Sequence, residues 1–262
     1  MPELPEVETV VRQLNNNLTN KTITNIDIYV NKTIDPQIKK HLPLNIISIT
    51  RRGKLIIINT SKGHLVTQLR MTGYFSYQED KFKVATIHFK DNTTIYHHSI
   101  RKFGSIKYYT KEQLNQYLKR IGPEPLNTSP QQFYKLIQKH PNANLKNKLL
   151  DQSLIAGIGN IYAQEAMYYA KIHPSTQVKD APINNLIQLH KYMQKILTQA
   201  IKNKGTSIEN YSHLEGTGNF QNLLAVYKQT NCPKGHIIEK LKIAGRGTYY
   251  CRVCQDVKKI TK

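Results

Sequence analysis

Tryptophan is absent, and only three cysteines occur, Cys232, Cys251 and Cys254, all near the C-terminal end. Three thiols crowded into one short stretch do not make a disulfide framework, and their placement points to a metal site instead. Long apolar runs are missing too. The aliphatic stretch at 55–58 falls far short of the roughly 20 residues that cross a bilayer, so no membrane span is expected. The first residues are acidic rather than basic and then apolar, so no signal peptide is read there and a cytoplasmic location is expected. Acidic residues are scarce, 17 against 38 Lys and Arg, which leaves +21 at pH 7. Such an excess favours a polyanionic partner through counterion release.

At 262 residues the chain is long enough for two modest cores. Val7, Val10, Val11 and Leu14 recur at helical spacing after Pro5, whose missing N–H suits a first helical turn. Strand-like segments follow at 23–29, 46–51, 55–59, 64–69, 84–89, 93–97 and 105–109, separated by turn residues such as Lys62-Gly63 and Asp91-Asn92. That pattern predicts an antiparallel sandwich or barrel. Helical signals take over after Thr110, with further helices at about 145–152, 160–170 and 181–203 and a small β unit at the end. The fold class read here is α+β.

Four stretches could carry chemistry. In Pro2-Glu3-Leu4-Pro5-Glu6, removal of Met1 would make Pro2 a free secondary amine whose pKa lies well below that of lysine, with Glu3 and Glu6 nearby as proton-transfer groups. A plain acidic helix start is the structural alternative. Gly157-Ile158-Gly159-Asn160 enters a helix, so its backbone N–H groups could face a phosphate, or it could be an ordinary tight turn. Cys232, His236, Cys251 and Cys254 offer three thiolates and an imidazole, enough for one tetrahedral structural Zn2+ with no position left for catalysis. A metal-free hairpin with spare thiols is the alternative. Residues 205–221 form a long polar, glycine-hinged loop of the kind that is uncommon unless functional or disordered.

The string Met-Pro-Glu-Leu-Pro-Glu-Val-Glu resembles the N-terminus of bacterial formamidopyrimidine-DNA glycosylases, and later motifs extend the likeness along nearly the whole chain. The resemblance implies a β-sandwich domain with an N-terminal helix, a helical domain with a helix–two-turns–helix motif, and a β-hairpin zinc finger, divided at 1–127, 128–222 and 223–262. It implies attack by Pro2 on the anomeric carbon of a damaged nucleotide, with Glu3 assisting proton transfer and Glu6 stabilising the cation or orienting the N-terminus. Lys54, in Arg51-Arg52-Gly53-Lys54, matches a phosphate-binding lysine with a catalytic role; Arg51 and Arg52 are expected to add nonspecific affinity. Met71, Arg101 and Phe103 match three wedge residues that fill the gap left by an extruded base. Asn160 and the finger residue Arg246, read within a turn at 245–248, match phosphate contacts.

Departures are visible as well. Gly235 stands where the family's second finger cysteine is expected, so His236 is the substitute ligand. Gln68 and Ser99 replace a common histidine and aspartate, Lys204 replaces a usual glycine, and 216–220 looks one residue short. The implied activity is a bifunctional glycosylase and abasic-site lyase removing oxidised purines from double-stranded DNA, nucleoid-associated and monomeric, with DNA in the basic cleft between domains. An endonuclease VIII-like enzyme for oxidised pyrimidines and a noncatalytic damaged-DNA-binding protein are the alternatives.

Overall fold

The computed structural model describes residues 1–207, 214 and 216–256. They form two compact units, Met1–Arg120 with Asn203–Gln221, and Ile121–Lys202 with Asn222–Lys262. The chain thus returns to the first unit after leaving it, and the compact units do not follow the three sequence segments one to one.

In the first unit, α1 (Leu4–Leu18) carries Pro5 in its first turn and buries Leu4, Val7, Val10, Val11, Leu14 and Leu18, the stripe expected at helical spacing. Eight antiparallel strands follow: β1 (Thr22–Ile28), β2 (Leu44–Arg52), β3 (Leu55–Thr60), β4 (Gly63–Gln68), β5 (Gly73–Ser76), β6 (Lys83–Phe89), β7 (Thr94–Ser99) and β8 (Ser105–Tyr109). Their order is β5-β7-β6-β1-β2-β3-β4-β8. Between the two halves β1 and β2 pair through Thr22↔Asn45 and Ile23↔Leu44, and both strands shift register beside that junction. A single apolar cluster joins Ile26, Phe75, Ile87 and Ile95 of one half to Ile56, Ile58, Leu65 and Ile106 of the other, with Val10 and Leu14 of α1. The expected sandwich is present as two layers continuous through a bulged junction. Strand β5 is the element the sequence pattern misses. Helix α2 (Lys111–Leu118) begins as expected at Thr110, whose hydroxyl accepts the Gln113 N–H while the Gln113 side chain accepts that of Thr110.

The second unit contains α3 (Pro130–Ile137), capped by Ser129, then α4 (Leu145–Leu149), α5 (Asn160–Tyr169) and α6 (Ile183–Lys202). Leu186, Leu189, Met193, Ile196, Leu197 and Ala200 are the buried stripe of α6. The turns between α4 and α5 are held by Gln152, which accepts from Gly157 N at 2.9 Å and donates to Ile158 O at 2.8 Å. Glu165 of α5 is almost wholly buried, and its carboxylate takes the N–H groups of Ala225, Val226 and Tyr227 at 2.7, 3.0 and 2.8 Å. This fixes the segment that leads into the hairpin β9 (Glu239–Ile243) and β10 (Arg246–Tyr250). No helix among the described residues is long and apolar enough to cross a membrane.

Arg51 does not act as sequence reading expects. Its guanidinium bonds Glu8 at 2.7 Å and Gly53 O at 3.0 Å, so it builds the β2–β3 turn from within. Burial alone would raise the Glu8 carboxyl, but hydrogen bonds from Arg51 and Arg12 outweigh it and hold Glu8 below its ordinary value. A depressed carboxylate stabilises the fold above the unfolded-state pKa of about 4.3 and ceases to as pH falls through the folded value. Arg51→Met is therefore expected to destabilise by about 1 kcal/mol at neutral pH, allowing for solvent screening. Urea melts should show the difference shrinking on acidification below that range.

Candidate functional site

The N-terminal group is assembled by α1 itself. Glu3 precedes the helix, its carbonyl accepting the Val7 N–H at 3.0 Å, and Pro2, Glu3 and Glu6 are all buried. Glu6 turns one oxygen back to the Glu3 N–H at 2.8 Å and the other to the Thr206 N–H at 2.7 Å. Both Glu6 oxygens thus hold backbone donors, one of them on the residue next to Pro2. The second of these bonds explains Gly205: its φ is +78°, and an added Cβ would lie 2.8 Å from the Glu6 carboxylate. Lys204 beside it also takes a positive φ, +59°, which is why a glycine suits that position. Ser207 N donates to Gln221 Oε1 and Gly218 N to Ser207 Oγ, closing the base of the polar loop. Residues 208–213 and 215 of that loop lie outside the described residues.

Lys54 stands half-buried at the β2–β3 turn, where Gly53 takes a φ of +58°. Met71, Arg101 and Phe103 do come together. Met71 lies in the β4–β5 turn, and Arg101 and Phe103 in the loop after β7; Arg101 Nη1 donates to Met71 Sδ at 3.0 Å and its guanidinium sits 5.0 Å from the Phe103 ring centre. Arg101 N donates to Thr72 Oγ1 at 2.9 Å, tying the two loops. Met71 and Phe103 are 45% and 55% exposed, so neither is a core residue, the more usual place for an apolar side chain of this size. The departures from the family pattern fit this support: Ser99 Oγ accepts the Gly104 N–H at 3.3 Å, and Gln68 donates to Tyr117 Oη at 2.5 Å.

In the second unit Asn160 opens α5, and its amide joins helix to hairpin. Asn160 Nδ2 donates to Gly247 O at 3.1 Å, while Oδ1 accepts from Lys146 Nζ at 2.7 Å. Lys146, fully buried, also donates to Thr248 Oγ1 at 2.9 Å. Sequence reading passed over this lysine, because Lys146 and Lys148 look alike on a short helix and only Lys148 pairs locally, with Asp151. The hairpin turn itself is Ala244-Gly245, with φ of +45° and +77°, the two-residue form that matches strand twist. Arg246 therefore begins β10 instead of lying within the turn, and it is exposed there.

Cys232, His236, Cys251 and Cys254 place their ligand atoms within 4.8 Å of one another. His236 presents Nδ1, at 3.5 Å from Cys232 Sγ and 3.4 Å from Cys254 Sγ. A tetrahedral zinc with its usual bond lengths separates sulfur and nitrogen ligands by roughly 3.6 Å, so these residues fit the ion. Gly235, at φ +80°, lets the chain turn so that the next residue supplies the ligand, with Cys232 O accepting the Gly235 N–H and Cys232 N donating to His236 O, both at 2.8 Å. Burial alone would raise the Cys232 thiol; the Lys234 N–H, the Tyr168 hydroxyl and the His236 N–H bring it down to about 6. Tyr168, Ala225 and Val226 pack beneath the cluster as a small core. The site is a structural zinc site.

Elemental analysis should find about one zinc per chain. His236→Ala should lose the metal and expose the hairpin while urea unfolding of the first unit stays in place. Lys146→Met should keep the zinc but leave Asn160 Oδ1 and Thr248 Oγ1 without their donor, at a cost of about 1–3 kcal/mol. Faster amide hydrogen exchange across β9 and β10 is the expected signature.

Comparison with known proteins gives these sites a common origin. Residues 1–106 match the family model of the formamidopyrimidine-DNA glycosylase N-terminal domain, 121–212 that of the same family's H2TH domain, and 235–257 a zinc finger found in FPG and IleRS. A formamidopyrimidine-DNA glycosylase of Exiguobacterium sibiricum is 35% identical across 98% of this chain and 99% of its own length. One of Ureaplasma parvum is 39% identical across 98% and 100%. Lactococcus lactis FPG, in a mutant form complexed with Fapy-dG-containing DNA, superposes with a TM-score of 0.91 at 36% identity, covering 97% of this chain and all of the other. The same protein complexed with DNA containing an abasic site gives the same score and identity. With the fold, the buried N-terminal carboxylates and the finger all accounted for, the chain belongs to the formamidopyrimidine-DNA glycosylase family.

Proposed function

We propose that this protein is a base-excision repair enzyme, a glycosylase that removes oxidised purines from double-stranded DNA and then cleaves the abasic strand. The observation that supports it most directly is the buried Pro2-Glu3 pair at the head of α1, oriented by Glu6, in a chain of this family. Once Met1 is removed, Pro2 is a secondary amine that can attack C1′ of the nucleotide, displacing the base. Attack requires the nucleotide to leave the stack, since C1′ is shielded within the duplex. Met71, Arg101 and Phe103 fill the space left behind. Glu3 hands a proton to the opening sugar and takes protons in later steps. The resulting iminium acidifies the neighbouring C2′ proton, so β- and then δ-elimination remove the phosphates on either side. Lys54, Asn160 and Arg246 grip the backbone. Asn160 commits one amide hydrogen to Gly247 O, and the amide has a second for a phosphate.

Borohydride added to protein and an abasic-site duplex should trap an adduct that peptide mapping places on Pro2. Retaining Met1 should abolish trapping and spare DNA binding. An adduct formed at undiminished rate on Lys54 in that blocked protein would refute the N-terminal mechanism. Glu3→Gln should slow excision by at least the roughly 10²-fold typical of a lost acid–base group.

The phosphate assignments separate by ionic strength. Lys54→Ala and Arg246→Ala should each weaken binding to damaged and undamaged duplexes alike and lower the salt slope by about one unit. Asn160→Ala should weaken binding with no change in slope. Fluorescence anisotropy titrations across a salt series test all three.

A further inference from the structure

Of the four methionines in the chain, Met167 and Met193 are buried in the second unit, and Met1 is the residue removed to free Pro2 in the proposed function. Met71 is then the thioether of the mature chain that faces solvent, on a turn whose backbone is held by Gly73 N bonding Leu69 O at 2.9 Å. Its sulfur receives one hydrogen bond, from Arg101 Nη1 at 3.0 Å. A thioether sulfur has two lone pairs, so the second remains open to an oxidant. The same guanidinium lies over Phe103, and sulfur, cation and ring form one exposed cluster.

We propose that Met71 is a reversible oxidation site, and that its conversion to the sulfoxide by a hydroperoxide disables the wedge. A sulfur lone pair attacks the OH oxygen of the hydroperoxide; the S–O bond forms as the O–O bond breaks, sulfur gives up two electrons, and the other oxygen leaves as its anion and takes the proton shed by the transferred oxygen, giving an alcohol or, from hydrogen peroxide, water. The new oxygen is a much stronger acceptor than the thioether, and an Arg101 N–H is already aimed at the sulfur that carries it. The guanidinium is drawn toward Met71 and away from Phe103. The side chain that must enter the base stack also becomes polar, and stacking it there strips water from a group with no partner among the bases. Reduction of the sulfoxide by a thiol-dependent reductase restores the thioether. The functional consequence rests on the repair reading above, whereas the chemistry at sulfur does not.

The test uses the full-length, zinc-loaded protein treated with dilute hydrogen peroxide, with peptide mass mapping and zinc content followed together. One oxygen should appear on Met71 before Met167 or Met193, with zinc retained. Excision from a duplex with a paired 8-oxoguanine should fall severalfold, and cleavage of a preformed abasic duplex should change less. Methionine sulfoxide reductases acting on both epimers should return the lost excision. Met71→Leu, judged against its own untreated rate, should be insensitive to the treatment. Excision unchanged after complete oxidation of Met71, equal sensitivity of Met71→Leu, or cysteine oxidation with zinc loss ahead of Met71 would each overturn the proposal. If the untreated protein cut neither duplex, the repair reading would fail and the mass map alone would decide the site, with an unoxidised Met71 refuting it.

Discussion

Glu6 satisfies two backbone N–H groups that are remote in sequence, one on Glu3 and one on Thr206. A carboxylate at a helix N-terminus is favoured by the helix dipole, yet burial disfavours its charge, and two short bonds to backbone donors offset that cost. The position of the N-terminal residues and the point at which the chain re-enters the first unit are therefore one constraint. It reaches into neighbouring sequence choices: Gly205 must lack a side chain because the carboxylate occupies the space, and the positive φ of Lys204 lets the chain turn out of α6 toward it. Were Glu6 replaced by a residue with one acceptor, either the N-terminus or the loop base would keep an unpaired buried donor.

The second unit solves a similar problem with the opposite polarity. Lys146 brings a donor into a buried place where Asn160 and Thr248 supply neutral oxygens, and Glu165 brings an acceptor to three consecutive N–H groups. Both residues join helices to the segment carrying the hairpin, whose own core is small. The hairpin's orientation is thus set by polar groups with directional bonds more than by apolar burial. Directional bonds suit a hairpin with so small a core, since a small angular error at its base is magnified at its tip.

What sequence showed and what it hid divide along the range of the interactions. The helix stripes, the caps at Thr110 and Ser129, and the four metal ligands are written in residues a few positions apart, so pattern suffices. Strand β5 has four residues and two turn-like neighbours, and it exists because Tyr74 pairs with His98 across the sheet. Lys146 finds Thr248 at a separation of 102 residues, which no local period encodes. By sequence Arg51 is expected to add nonspecific affinity, since charge alone cannot tell a solvated guanidinium from one turned inward onto Glu8. The cluster of Met71, Arg101 and Phe103 is an intermediate case. Sequence likeness chose its three side chains, and only exposure and mutual contact distinguished them from core residues.

The histidine in the finger changes more than the identity of one ligand. Zinc held by three thiolates and an imidazole carries one negative charge fewer than zinc held by four thiolates. The hairpin bearing Arg246 grows from the same small body, and Lys240 and Lys242 line its first strand. A less anionic base under a cationic hairpin lessens the local repulsion that a polyanion would meet on approach, an effect that fades over about a Debye length. Gly235, by yielding its place to His236, leaves this finger electrostatically better matched to a phosphate backbone.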